Sequence, residues 1–94
     1  MASPIHRFDS AQRYCSQGRS TLTNRIAAGT FPQGFRLGAL VRGWFEHELD
    51  QWNAAVAAGA SDDELRELCR SIVAARRRDV GDLIASVTSR EVLA

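Results

Sequence analysis

The chain has 94 residues, enough for one domain around a single core of moderate size. Hydrophobic residues make up 45% of it, which favours a folded globule over disorder, and no apolar run approaches the about 20 residues of a membrane span. The formal net charge is +1, and the first residues lack the apolar segment of a signal peptide, so the sequence predicts a cytoplasmic protein.

The small net charge hides an asymmetry along the chain. Residues 1–43 carry six arginines and one acid, a sum of +5, whereas residues 44–94 carry six arginines and ten acids, a sum of −4. All twelve basic residues are arginines, whose planar guanidinium suits phosphate groups and guanine edges. Because attraction to phosphate dominates DNA affinity, the basic front half is the candidate nucleic-acid surface.

The first predicted elements are an arm and a short helix. Residues 1–6 are expected to form a flexible N-terminal arm, and Phe8 is an early core anchor. Asp9 is the predicted N-cap, with Gln12 three residues later as in a capping box. The first helix then covers about residues 10–16. Its expected inward side chains are Ala11, Tyr14 and Cys15.

The second predicted helix is short and has clear ends. Gly18 opens it, Gly29 supplies the left-handed residue that commonly ends a helix, and Pro32 prevents its resumption. Leu22 and Ile26 are four residues apart and share one apolar face. A helix, a turn with glycine and a second helix together predict a helix-turn-helix.

The polar surface of this second helix is the candidate DNA contact. In a helix-turn-helix the second helix enters the major groove, where arginine can pair with guanine and asparagine with adenine. Arg25, nearer the end of the helix, suits a phosphate contact. The predicted contacts are Arg19, Ser20, Thr21, Thr23, Asn24 and Arg25.

After the second helix the pattern changes to alternation. Phe35-Arg36-Leu37 alternates apolar and basic residues, and residues 40–44 can return antiparallel, which predicts a two-stranded hairpin. Arg36 and Arg42 lie on its solvent side and are predicted to contact the DNA backbone. The side chains expected to attach the hairpin to the helices are Phe31, Phe35, Leu37 and Trp44.

From Phe45 onward the period is helical. The third helix ends at Gly59, and its apolar stripe consists of Phe45, Leu49, Trp52 and Val56. Ser61 and Glu64 form a capping box for a fourth helix, whose stripe consists of Leu65, Leu68, Cys69, Ile72 and Val73. Arginines at 76–78 suit its C-terminal end. Residues 79–94 either form a fifth short helix or continue the fourth.

The remaining candidate site residues predict neither catalysis nor metal binding. Cys15 and Cys69 are far apart in a chain without an export signal, so we expect buried free thiols. Trp44 and Trp52 have core registers and are expected inside. No histidine or cysteine pair has ligand spacing, and no phosphate loop or nucleophile elbow is present. The sequence therefore predicts a non-enzyme without metal or cofactor.

The motifs, in their order and spacing, resemble the AlpA-like family of phage and prophage DNA-binding regulators, which is related to excisionases. The resemblance covers roughly residues 6–57. The matching stretches are Arg19-Ser20-Thr21-Leu22, Ile26-Ala27-Ala28-Gly29-Thr30-Phe31-Pro32, Arg36-Leu37-Gly38 and Trp44 with Glu46-His47-Glu48-Leu49-Asp50-Gln51-Trp52.

The resemblance implies a mainly α, MerR-like winged helix-turn-helix over residues 7–58 with a small two-stranded β-hairpin as its wing. Residues 59–94 are predicted to form a C-terminal helical extension, and residues 58–68 are similar to an extension found in some members of the family. It implies that the second helix enters the major groove and that the hairpin is a wing touching the backbone or minor groove. The implied roles are prophage excision, integrase control or promoter regulation. The implied partners are double-stranded DNA, further copies of the chain as dimers or cooperative arrays, and an integrase.

A second hypothesis is a protein-binding module that docks on an integrase or a host protein. It is motivated by the acidic back half and by helically spaced apolar residues near the C-terminus. These are Val80, Leu83, Ile84 and Val87. The sequence leaves open whether the protein is an excisionase or a transcription factor, and an activator or a repressor.

Overall fold

The computed structural model describes the backbone of residues 3–93 and the side chains of residues 3–78. Helices predominate, which confirms the mainly helical fold class. In chain order the elements are β1 (Ile5–Arg7), α1 (Phe8–Tyr14), α2 (Arg19–Ala28), β2 (Phe35–Arg36), β3 (Arg42–Phe45), α3 (Glu46–Ala57) and α4 (Asp62–Leu93).

The three strands form one antiparallel sheet in the order β1-β3-β2. The predicted two-stranded hairpin corresponds to β2 and β3, and the structure adds a third strand, because β1 pairs with the other edge of β3. Ile5 lies opposite Phe45, so the sheet includes part of the expected arm. His6 is fixed on both sides, with Nδ1 2.7 Å from the Ser10 hydroxyl and Nε2 3.1 Å from Glu46 Oε1.

The first helix differs from its prediction in two ways. It begins at Phe8, so Asp9 lies in the first turn and is not the N-cap. Ala11 and Cys15 are buried as predicted, but Tyr14 is 39% exposed because its hydroxyl donates to the surface carboxylate of Asp50 at 2.6 Å. This hydrogen bond raises the pKa of Tyr14 to about 12.

The second helix has the predicted ends. Gly18 is the N-cap, and Gly29 closes the helix in the left-handed region with φ 82°. The Thr30 and Phe31 amides then donate to the Arg25 carbonyl at 2.9 and 3.3 Å, which turns the chain away from the helix axis. The chain therefore leaves α2 in a fixed direction, toward the core.

Three aromatic rings form the centre of the core directly after α2. The Phe31 ring packs between the indoles of Trp44 and Trp52, with centroid distances of 5.9 and 5.0 Å. The indole N–H of Trp52 donates to the Thr30 carbonyl at 2.7 Å, and that of Trp44 to the Pro32 carbonyl at 2.8 Å. The predicted core positions of both tryptophans are confirmed, and the two side chains fix the connection between α2 and the hairpin.

Helices α3 and α4 pack around these aromatic rings, but only part of each predicted apolar stripe is buried. Leu49, Leu65, Cys69 and Ile72 are buried, whereas Val56 and Val73 are 39% and 38% exposed. Val56 and Val73 lie at the margins of the two stripes, and the packing between α3 and α4 leaves these margins partly exposed. Ser61 and Glu64 form the predicted capping box through reciprocal hydrogen bonds of 2.9 and 3.2 Å.

Three further features of the predicted elements have clear outcomes. Cys15 and Cys69 are buried free thiols as predicted, and burial raises the pKa of each to about 11. Leu37 is 42% exposed, against expectation, because it lies over Gly43 on the surface of the hairpin and not in the core. The fourth helix continues to Leu93, so arginines 76–78 do not lie at its end.

Across the described residues, the helices lack the combination of length and apolar composition that crossing a bilayer requires.

Gly34 offers a test of how tightly the hairpin packs. A Cβ added there would lie 2.7 Å from Arg42 Cβ and 3.0 Å from Trp44 Cζ2, so we expect Gly34→Ala to destabilise the fold by about 1–3 kcal/mol. Urea unfolding followed by tryptophan fluorescence measures this. The matched control is Gly38→Ala, where the new Cβ meets no atom within 4 Å. Equal unfolding midpoints for both variants would show that the contact is not tight.

Candidate nucleic-acid interface

Helix α2 presents polar side chains to solvent and is anchored by a fully buried leucine. Leu22 is 0% exposed, and Ile26, one turn later, packs against the core. The Thr23 hydroxyl donates to the Arg19 carbonyl at 3.0 Å, so toward a ligand it is an acceptor. The predicted contacts that the structure exposes on this helix are Arg19, Ser20, Thr21, Thr23 and Asn24.

The Arg19 side chain makes two weak contacts, which orient it without fixing its position. Its guanidinium lies 5.3 Å from the Phe8 ring centroid, and Nη1 is 3.5 Å from an Asp9 carboxylate oxygen. The Arg19 and Asp9 side chains are 75% and 71% exposed, and such surface pairs contribute little because water and salt screen them. Arg19 can therefore exchange Asp9 for another anion at little cost.

Arg25 differs from the other predicted DNA contacts because its side chain packs and hydrogen-bonds within the protein. The side chain is half-buried, its guanidinium lies 5.5 Å from the Trp52 ring, and its Nε donates to Gln17 Oε1 at 3.2 Å. These contacts join the α1–α2 turn to the core. The phosphate contact predicted for Arg25 stays a prediction.

The hairpin places two arginines side by side. Arg36 on β2 and Arg42 on β3 are direct antiparallel partners, and both are exposed. Like charges opposite each other destabilise a sheet, and neither arginine has a carboxylate within salt-bridge distance among the described side chains. An anion bound between them, such as a phosphate, would relieve the repulsion.

A groove of about 640 Å³ connects α2 with the hairpin. Its charged lining consists of Arg7, Arg19 and Arg42 with Asp9, and Trp44 is among its apolar lining residues. The groove therefore brings together basic residues from β1, α2 and β3. Arg7 belongs to the basic front half but was not predicted as a site residue, because three strand residues are too few for a periodic pattern.

A buried ion pair, not predicted from the sequence, lies behind the hairpin. Arg76 Nε donates to Glu48 Oε2 at 2.6 Å and Nη2 to Glu48 Oε1 at 2.8 Å, while Nη1 donates to the Gln33 carbonyl at 2.7 Å. The Arg76 guanidinium also lies 5.3 Å from the Phe35 ring, at the base of the hairpin. Arg76 thus fixes α4 to both α3 and the hairpin.

Comparison with known protein families identifies the family of this chain. The model of one family, described as prophage CP4-57 regulatory protein (AlpA), matches residues 5–56, more than half of the chain. The chain belongs to the AlpA family. No curated protein and no solved structure matches it. The family predicted from the sequence motifs is therefore confirmed, and with it a role in phage or prophage regulation.

The AlpA match runs from β1 to the last turns of α3 and ends before α4. The groove arginines and the Arg36–Arg42 pair lie inside the matched region, whereas Arg76 lies outside it. The ion pair with Glu48 therefore joins the AlpA region to its helical extension. Among the described side chains of this AlpA-family protein, no three histidine, cysteine or carboxylate groups lie together as metal ligands.

Proposed function

We propose that this AlpA-family protein is a sequence-specific double-stranded DNA-binding regulator that inserts α2 in the major groove and rests the hairpin on the backbone. The observation that carries the proposal is that Arg19 of α2 and Arg42 of the hairpin line one groove. The major groove, about 12 Å wide, admits a helix whose polar side chains are exposed. Two elements with basic side chains facing one space suit a duplex better than a small ligand.

The exposed side chains divide by chemistry into two roles. Arg19 and Asn24 are assigned to base edges, because guanidinium and amide groups can form paired hydrogen bonds there. Ser20, Thr21 and Thr23 add shorter polar contacts on the same helix. Arg25, Arg36 and Arg42 are assigned to phosphates, which fix the protein on the duplex without reading its sequence.

One module of this size gives limited specificity, so we propose that copies bind repeated half-sites as dimers or cooperative arrays. Shifted bands that appear stepwise as probes gain half-sites would support this. We place the protein in the cytoplasm, where its DNA target lies. An adjacent integrase gene would favour an excisionase that works with that integrase, and a divergent promoter would favour a transcription factor.

The test of DNA binding is electrophoretic mobility shift at physiological salt. The probes are the upstream region of the gene, the attachment site, and duplexes selected from a random library. We expect a preferred sequence bound at least about tenfold more tightly than bulk DNA, since specific complexes commonly exceed this ratio. Binding without sequence preference would overturn the proposal.

Two substitutions should separate base contacts from phosphate contacts. Asn24→Ala should reduce discrimination between preferred and unrelated duplexes by about 1–3 kcal/mol, because it removes a base-reading amide. Arg36→Ala should weaken binding to every duplex and lower the slope of log affinity against log salt by about one. Fluorescence anisotropy across a salt series measures both effects.

The matched control for this series is Arg70→Ala. Arg70 is exposed on α4 and pairs with Glu67, so the variant loses the same charge away from the candidate interface. We expect its salt slope and site preference to equal those of the wild type. An unchanged site preference in Asn24→Ala would remove that residue from the base contacts.

A further inference from the structure

Leu40 has an unusual position for a large apolar side chain. It is 97% exposed, whereas the next most exposed large hydrophobic residue among the described side chains, Ile5, is 50% exposed. Isolated leucines on a surface are common and by themselves indicate nothing. The exposure of Leu40 is informative because this residue lies at the tip of a hairpin that carries two arginines.

The tip of the hairpin is a short loop. The Leu37 amide donates to the Val41 carbonyl at 2.9 Å, which closes a loop of Gly38, Ala39 and Leu40. A Cβ at Gly38 would meet no atom within 4 Å, so this side of the tip is open to solvent, and Leu40 also lines the groove that Arg19 and Arg42 line. Leu40 is thus the large side chain of this three-residue tip, and it lines the space that the proposed function assigns to the duplex.

The two arginines behind the tip favour a negatively charged ligand. Arg36 and Arg42 lie opposite each other, and Leu40 precedes Arg42 by two residues. This arrangement places two cations behind an apolar tip. It matches the minor groove of DNA, which is about 6 Å wide, has phosphates along both edges and has stacked bases at its floor.

We propose that Leu40 is a wedge that inserts between adjacent base pairs from the minor groove and bends the duplex held by α2. The inference rests on the proposed DNA-binding function and adds to it a bend and the residue that causes it. Apolar side chains inserted in this way partly unstack a base step and kink DNA by about 20–90°. Because pyrimidine–purine steps unstack most easily, the bound site should carry such a step beside the sequence that α2 contacts.

The test compares the full chain with Leu40→Ala, Leu40→Met and the control Val56→Ala on a duplex of the selected sequence labelled at both ends. Val56 is an exposed apolar residue on α3, away from the hairpin. Energy transfer between the labels should rise when wild type, Leu40→Met or Val56→Ala binds. Leu40→Ala should bind about three- to tenfold more weakly, in line with one lost apolar contact, and leave the duplex straight.

Several outcomes would overturn the wedge. One is an unbent duplex with the wild type, and another is an equal bend with Leu40→Ala. If Leu40→Ala keeps the bend but loses only the cooperative binding of a second copy, Leu40 contacts protein and the wedge is wrong. Each of these leaves sequence-specific binding intact. Loss of all sequence preference in the wild type would instead overturn the proposed function and the wedge with it.

Discussion

Trp52→Ala is expected to lower the free energy of unfolding by about 3–5 kcal/mol, the usual loss for a buried tryptophan. The side chain is 1% exposed, packs against Phe31 at 5.0 Å and supports the Arg25 guanidinium at 5.5 Å. The free energy of unfolding of a domain of this size is about 5–15 kcal/mol in total. The variant should therefore lie close to its unfolding transition at ambient temperature. Guanidinium denaturation followed by circular dichroism measures the loss.

Trp52→Phe separates the packing of this residue from its hydrogen bond. The phenyl ring keeps most of the aromatic contact but cannot donate to the Thr30 carbonyl, which accepts from the indole at 2.7 Å in the wild type. Leaving this acceptor unpaired should destabilise the fold by about 1–3 kcal/mol. A loss below 1 kcal/mol for the alanine variant would contradict the central position of Trp52 in the core.

Arg76→Ala is the second change with a large expected effect, about 3–5 kcal/mol, because it leaves the Glu48 carboxylate buried without its partner. The Glu48 and Arg76 side chains are only 3% and 14% exposed. The substitution also frees the Gln33 carbonyl and the Phe35 ring, so the hairpin should loosen and DNA affinity should fall. Denaturation and anisotropy on the same variant measure both.

Two controls isolate the ion pair. Arg78→Ala removes an exposed arginine from the same helix and should change stability by less than about 0.5 kcal/mol. The double variant Glu48→Met with Arg76→Met replaces the pair by apolar side chains and should recover much of the loss, since such replacements are often neutral. Recovery stays incomplete because Glu48 Oε1 also accepts the Phe45 amide at 3.0 Å. Equal stability of Arg76→Ala and Arg78→Ala would show that the pair contributes nothing.

Local features of the sequence were sufficient where neighbouring residues determine the structure. Gly18 and Gly29 predicted both ends of α2, because a helix end depends on the conformation of one or two residues. Ser61 and Glu64 predicted the start of α4 for the same reason. The polar face of α2 followed from the spacing of Leu22 and Ile26, which orients every other side chain on a short helix.

Features that depend on contacts between distant residues were not predicted from the sequence. Tyr14 was expected inside, yet its hydroxyl has a partner, Asp50, that lies 36 residues away at the surface. The stripes of α3 and α4 were predicted at full width, although the position of the neighbouring helix decides how much of a stripe is covered. Val56 and Val73 therefore stay partly exposed.

The family, the order of the helices, the buried tryptophans and cysteines, and the basic character of the front half could all be predicted from the sequence. Each depends on residue type and short spacing, which are readable along the chain. Three features became visible only in the folded chain: the third strand, the groove that adds Arg7 to Arg19 and Arg42, and the pairing of Arg76 with Glu48, 28 residues apart. These features arise when separate elements pack together, and pairings at such separations leave no periodic pattern in the sequence.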